Sequence, residues 1–248
     1  VDWDDFQAAL FDLDGVITPT AEVHMRAWRD MFTAFLGARP EQAAYTDDDY
    51  FRYIDGKPRY DGVRSFLLSR GIMLPEGSGA AESSRETVSG LGNLKDEMFA
   101  DTLQRDGVQA YPGSVALLDY LSDRPIVLGI VSSSRNAVNV LKAAGLLERF
   151  AFVVDGKVAA QQGLPGKPAP DTYLHAAGLA QASATTSVVV EDATSGVAAG
   201  RAGRFGLVVG VDRGAGADAL TSAGADMVVT DLDQLIDTAQ RTDDKERS

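Results

Sequence analysis

Six short apolar runs do most to limit how this chain can fold: Ala8–Phe11, Ile126–Val131, Phe152–Val154, Val188–Val190, Leu207–Val211 and Met227–Val229. Each run is continuous rather than alternating. A strand that is apolar on both sides has to be covered on both sides, which is the mark of a parallel sheet held between helices. Helix-like segments lie between the runs. Arg135 to Ala144 carries Val138 and Leu141 on one face and meets Gly145 as a stop, while Pro170-Asp171 and Ser195-Gly196 open two more. This alternation predicts an α/β fold, a doubly wound parallel-sheet (Rossmann-like) core.

The interval from Thr20 to Asp106 breaks the rhythm. It opens on an amphipathic helix from Glu22 to Leu36, with Val23, Trp28, Met31, Phe32 and Phe35 as its apolar face. Further helical stretches follow over Tyr50–Ser69 and Glu82–Leu103, with Pro75–Ala81 as a loop, and no strand is evident. An inserted helical cap is expected over 20–106, hinged near Thr18-Pro19-Thr20 and Gly107–Pro112. The α/β core then comprises 1–19 and 107–240, and the charged stretch 241–248 reads as a disordered tail.

Composition narrows the function. The 248 residues suffice for one large domain or one domain with an insertion. The formal charge of −13 argues against a nucleic-acid partner and against an anionic membrane surface, both of which call for clustered Lys and Arg. With no cysteine, disulfides, thiolate zinc sites and a Cys nucleophile are excluded. No stretch approaches the ~20 apolar residues of a membrane span, so a cytoplasmic protein is expected.

Chemistry-bearing residues gather at the predicted strand ends. Asp12 and Asp14 follow the first run, and positions i and i+2 on a strand share a side. Two carboxylates that close need a cation, a proton or a ligand to offset their repulsion. Ser132-Ser133-Ser134-Arg135-Asn136 follows the second run, Lys167 sits in Gly166-Lys167-Pro168, and Glu191-Asp192 follows the fourth run. In a parallel sheet these carboxyl-end segments converge. They combine carboxylates for a hard divalent cation, donors for phosphate oxygens and a lysine for negative charge, and Mg²⁺ suits such an oxygen set.

Other readings of the same residues are weaker. Gly163 to Pro168 lacks the glycine spacing and the Ser or Thr of a phosphate loop, and Asp12-Leu13-Asp14-Gly15 lacks the spacing of a calcium loop. The two histidines, His24 and His175, stand too far apart for a His-based zinc site to be expected. Trp28, Phe32 and Phe35 read as cap core rather than a base-stacking platform, and Asp47-Asp48-Asp49 as a helix start or a solvated turn. Outside its setting, Lys167 would be a surface turn lysine.

Taken in order, Asp-x-Asp-Gly, a serine after the next core strand, a lysine and an acidic pair resemble the haloacid dehalogenase-like superfamily of phosphotransferases. That resemblance implies Asp12 as nucleophile, taking the phosphoryl group as an aspartyl phosphate. It implies Asp14 as general acid/base, its backbone carbonyl helping to hold Mg²⁺. Ser132 and Lys167 would bind the transferring group, and Asp192, with Glu191 in support, would complete a metal set of Asp12, Asp14, Glu191 and Asp192.

Within the superfamily, Asp12–Thr18, Thr20-Ala21-Glu22, His24, Arg26-Ala27-Trp28 and Lys167–Asp171 resemble the β-phosphoglucomutase family. This implies substrate contacts from Thr20, His24, Arg59 and Lys95, and from Ser133, Ser134, Arg135 and Asn136, with Arg59 and the serine cluster gripping a second phosphate. Arg135 keeps a cation where that family has Lys. Three positions depart from its pattern: Pro19 stands for an acidic hinge residue, Asp55 for a Lys, and Ala193 for a Ser. The implied activity is Mg²⁺-dependent interconversion of β-glucose 1-phosphate and glucose 6-phosphate by a monomer. A sugar-phosphate phosphatase with the same nucleophile is the alternative. A receiver-type phospho-accepting module would need neither the insertion nor an acid at i+2.

Overall fold

The computed structural model describes residues 1–236, so the expected tail at 241–248 lies outside the described residues. The six runs form one parallel sheet: β1 (Ala8–Phe11), β2 (Val127–Val131), β3 (Phe152–Val154), β4 (Ser187–Glu191), β5 (Leu207–Val211) and β6 (Met227–Val229). The strand order is β3-β2-β1-β4-β5-β6, with every neighbouring pair parallel. The order reverses between β1 and β4, and ligands of doubly wound sheets bind at the carboxyl end of such a switch point.

Burial on both faces explains the continuous apolar runs. Successive strand side chains point to opposite faces. Ala9, Phe11, Val188 and Val190 face a cluster with Leu117, Leu121 and Leu141, contributed by α5 (Pro112–Ser122) and α6 (Ala137–Ala143). Ala8, Leu10 and Val189 face the other cluster, with Tyr173 and Ala176 of α8 (Asp171–Leu179) and Val197 of α9 (Thr194–Ala202). Two shorter helices, α7 (Gly156–Gln162) and α10 (Ala217–Ala223), complete the layers.

The segment between β1 and α5 is helical: α1 (Thr20–Gly37), α2 (Asp47–Tyr53), α3 (Arg59–Ser69) and α4 (Val88–Asp106). It has an apolar cluster of its own around Trp28, Phe32, Phe35, Phe66 and Leu91, so these aromatics are core residues as expected. The aspartate run does start a helix. Thr46 and Asp49 close a reciprocal cap at the start of α2, and anionic side chains favour a helix N-terminus.

The continuous helical stretch expected over Tyr50–Ser69 is broken. Ile54 to Pro58 forms a loop in which Gly56 takes φ +68°, a conformation that favours glycine. Pro58 also cannot supply a helical N–H in mid-helix, so it starts α3 instead. The last stretch begins at Val88 rather than Glu82, because Thr87 caps it by accepting the Gly90 N–H at 3.0 Å. The expected Pro75–Ala81 loop contains one 3₁₀ turn at Gly79–Ala81. No helix among the described residues is long and apolar enough to cross a membrane.

Candidate active site

Asp12 follows β1 directly, and its backbone N–H still bonds across the sheet to the Val190 carbonyl at 2.9 Å. The side chain therefore leaves the sheet at the switch point between β1 and β4. β1 ends at Phe11, and the chain then turns, so Asp12 and Asp14 are not two positions of one extended strand. The Asp14 N–H donates to Asp12 Oδ2 at 2.9 Å, and the Asp14 side chain goes elsewhere.

Lys167 reaches the same point from the loop before α8. Its Nζ donates to Asp12 Oδ1 at 2.5 Å, to Glu191 Oε1 at 2.5 Å and to the Val131 carbonyl at 3.0 Å. It is buried, so the surface-turn reading is set aside. Glu191 also accepts the Ala193 N–H at 2.9 Å and the Tyr173 hydroxyl at 3.3 Å. Burial, set against Lys167 but reinforced by Glu191 and Asp14, lifts the Asp12 carboxyl to about 8. Burial together with the charges of Asp55, Glu191, Asp12 and Asp14 pushes Asp192 well above the carboxylate range. The Asp192 carboxylate lies against Gly15, where any Cβ would collide with it, and Gly15 has φ +86°.

Asp14 faces the helical segment. It accepts from Thr20 Oγ1 at 2.5 Å, lies 3.4 Å from His24 Nε2, and receives a long 3.4 Å contact from the Ser132 hydroxyl. His24 Nδ1 is in turn hydrogen-bonded to the Lys95 ammonium nitrogen, deep in the cleft. Burial alone would raise the Asp14 carboxyl. The charge and hydrogen bond of His24, the Thr20 hydroxyl and Lys95 outweigh it and hold Asp14 down at about 2. Burial brings Lys95 down to about 7, and burial with the Lys95 charge lowers His24. Asp14 thus rests in its base form, with a histidine–lysine pair behind it.

The serine cluster serves partly as a cap and partly as a lining. Ser132 Oγ accepts the Ser134 N–H and Ser134 Oγ accepts the Asn136 N–H, both at 3.1 Å. Ser133 donates to the Gly56 carbonyl at 2.9 Å and Ser195 to the Asp55 carbonyl at 3.1 Å, which pins the Ile54–Pro58 loop over the sheet.

Opposite Asp12, Arg59 pairs with Asp96 at 2.5 Å, and Asn136 donates to the same Asp96 at 2.7 Å. The buried Arg59 Nε has no hydrogen-bond partner among the described residues. Arg135 packs over Gly156, and Arg59, Ser134 and Arg135 line the same cleft as Asp12, Asp14, His24 and Lys95.

The structure thus lines one cleft with Asp12, Asp14, Glu191, Asp192, the serines and Arg135, together with His24, Arg59 and Lys95, while Lys167, Thr20 and Asn136 stand behind it, bonded to Asp12, Asp14 and Asp96. Of the expected metal set of Asp12, Asp14, Glu191 and Asp192, Asp14 was to contribute its backbone carbonyl and Glu191 to act in support. Among the described residues no three carboxylate or imidazole side chains are gathered as a metal cage. Glu191 is turned onto Lys167, and Asp14 onto Thr20 and His24, which leaves the side chains of Asp12 and Asp192. Three participants were not picked out as site residues from sequence. Tyr50 lines the cleft with Asp55, Asp96 holds Arg59 and Asn136, and Tyr173 supports Glu191. Tyr50 and Tyr173 look like helix core residues in the sequence, and Asp96 gives no signal except its place beside Lys95.

Comparisons with known proteins agree with this geometry. A β-phosphoglucomutase of Mycobacterium tuberculosis is 45% identical over 239 residues, covering 93% of this chain and 91% of its own. Hexitol phosphatase A of Escherichia coli is 31% identical over 237 residues, covering 95% of each. The crystal structure of a β-phosphoglucomutase from Clostridium difficile superposes with a TM-score of 0.74 at 24% identity, covering 98% of both chains, and so shares the fold. The family model of the haloacid dehalogenase-like hydrolases matches residues 6–204. With Asp12, Lys167 and the acidic pair meeting at the sheet's switch point, this chain belongs to the haloacid dehalogenase-like family, as a phosphotransferase or phosphatase.

Proposed function

We propose that the protein is a sugar-phosphate mutase of the β-phosphoglucomutase type, in which residues 20–106 act as the cap. One observation carries the choice of mutase: two arginines, Arg59 and Arg135, line the same cleft as Asp12, and the Arg59 Nε has no hydrogen-bond partner among the described residues. A mutase must hold a second phosphate while the first transfers. Two guanidinium groups on one cleft supply such a grip.

Asp12 Oδ attacks phosphorus and the bond from phosphorus to the sugar oxygen breaks, leaving an aspartyl phosphate. Asp14 gives a proton to the departing oxygen, then takes one from the hydroxyl that attacks next. Asp14 rests ionised, so it must be loaded with a proton before it can act as the acid, and the His24–Lys95 pair stands next to it. Lys167 and the Ser132 hydroxyl hold the transferring oxygens. Sugar rather than water accepts the group because the cap excludes solvent.

The donor set fits a divalent cation. Asp12, which is buried, and Asp192, which is half-buried, have their proton affinity raised by desolvation and by the neighbouring carboxylates, and Mg²⁺ needs only one or two carboxylates alongside its waters. Asp12, Asp192 and the Asp14 backbone would hold it, and it would neutralise charge on the phosphoryl oxygens. Asp12→Asn tests the covalent reading: turnover of β-glucose 1-phosphate in the presence of glucose 1,6-bisphosphate should vanish, and retained turnover would refute Asp12 as nucleophile. The second reading is a sugar-phosphate phosphatase. It is favoured by Asp55, which brings negative charge to the cleft, and by the hexitol phosphatase relative.

A further inference from the structure

Asp55 lies in the Ile54–Pro58 loop, at a position where the β-phosphoglucomutase pattern has a cation. The loop is fastened to the core at neighbouring points. The Asp55 carbonyl accepts from Ser195, and the Gly56 carbonyl accepts from Ser133. Gly56 comes so close to Ser195 and Ala193 that a Cβ there would collide with the Ser195 hydroxyl. Ser195 and Ala193 belong to the segment that begins at the Glu191-Asp192 pair. Seating the loop therefore sets the Asp55 carboxyl in the same cleft as Asp12 and Asp192.

The Asp55 side chain is half-buried and lines this cleft beside Tyr50, with its own backbone carbonyl held by Ser195. After burial itself, Asp55 is the first of the neighbouring carboxylates whose charge raises Asp192. A seated loop thus adds one more anion to a site that already lacks positive charge, and an unseated loop withdraws it.

We propose that Asp55 is a positioning residue that couples seating of the 54–58 loop to occupancy of the divalent-cation site, each favouring the other. The inference rests on the reading that Asp12 and Asp192 hold a cation. Linkage makes the coupling reciprocal: if the seated loop tightens cation binding, the cation holds the loop seated by the same factor. A lysine at this position would set the two against each other. In this chain, closure and metal loading work together, and the full set of charges is assembled only when both are complete.

The test combines Mg²⁺ titration calorimetry with hydrogen exchange of the 54–58 amides, on the whole chain without substrate. Wild type should bind Mg²⁺ at a site lost in Asp192→Asn, and Mg²⁺ should slow exchange across the loop. Asp55→Asn should weaken Mg²⁺ binding about tenfold, the effect of removing one nearby carboxylate charge from a divalent site, and should abolish the slowing. Asp55→Glu, which keeps the charge, should restore part of both. Ser195→Ala, which loosens the loop but keeps the carboxylate, should shift affinity in the same direction as Asp55→Asn. Absence of any Mg²⁺ binding that depends on Asp192 overturns the cation reading and this inference with it. Binding that depends on Asp192, with affinity and loop exchange unchanged in Asp55→Asn, overturns this inference alone.

Discussion

Lys167 Nζ lies 2.5 Å from Asp12 Oδ1 and 2.5 Å from Glu191 Oε1, a buried ammonium shared by two buried carboxylates. One end of this bridge is the proposed nucleophile and the other belongs to the acidic pair. Lys167 therefore bears on both stability and catalysis. Lys167→Met leaves the buried Glu191 carboxylate without its ion-pair partner, and removing one partner of a buried pair costs about 3–5 kcal/mol. Urea denaturation should show a loss of that size, and phosphoryl transfer should fall below detection.

Asp12 gives a pH signature. Its folded pKa, about 8, lies above the ordinary carboxylate value of 3.8, so its contribution to stability is complete below about pH 4 and is lost as pH rises toward 8. In EDTA, wild type should lose stability relative to Asp12→Asn between pH 5 and pH 8, read as the difference in urea midpoints. Adding Mg²⁺ should shrink that difference, since a cation favours the ionised carboxylate. A difference that does not change with pH would contradict the assignment.

Gly15 is expected to tolerate no side chain. Its φ of +86° disfavours alanine, and the Cβ would displace the Asp192 carboxylate. Gly15→Ala should cost about 1–3 kcal/mol in backbone strain and remove Mg²⁺-stimulated turnover. Thermal denaturation and an activity titration with Mg²⁺ check the two effects separately.

Arg59 should act on binding of the second phosphate. Losing a charged hydrogen bond costs about 1.5–3 kcal/mol, so Arg59→Ala should raise KM for glucose 1,6-bisphosphate by about 10- to 150-fold. Phosphate release from a substrate with a single phosphate should be affected less. Initial-rate kinetics on both substrates measure the contrast.

The sheet was legible because burial on both faces keeps the strand centres apolar, so Ala8–Phe11 and Val188–Val190 stand out as runs. Asp12, Ser132 and Asp192 stand out because each closely follows such a run, whereas Lys167, in the loop between α7 and α8, stands out only through the ordered motifs. Helix α7, Gly156–Gln162, was not, since it buries no apolar stripe and starts on the cap of Asp155, whose carboxylate accepts the Lys157 and Val158 N–H groups. The break at Ile54–Pro58 was missed because Tyr50, Tyr53 and Phe66 continue a helical pattern across it. The direction of Asp14 was missed because strand alternation stops applying where β1 ends. Glu191 was assigned to the metal because a sequence cannot show that Lys167 already occupies its carboxylate.

The central claim is that a sugar, not water, takes the phosphoryl group from Asp12. The direct measurement gives the protein β-glucose 1-phosphate with Mg²⁺ and a trace of glucose 1,6-bisphosphate, and quantifies glucose 6-phosphate and free phosphate over time. Glucose 6-phosphate should account for nearly all of the substrate consumed, and the α anomer should not react. Free phosphate released in step with substrate loss, without glucose 6-phosphate, would contradict the account.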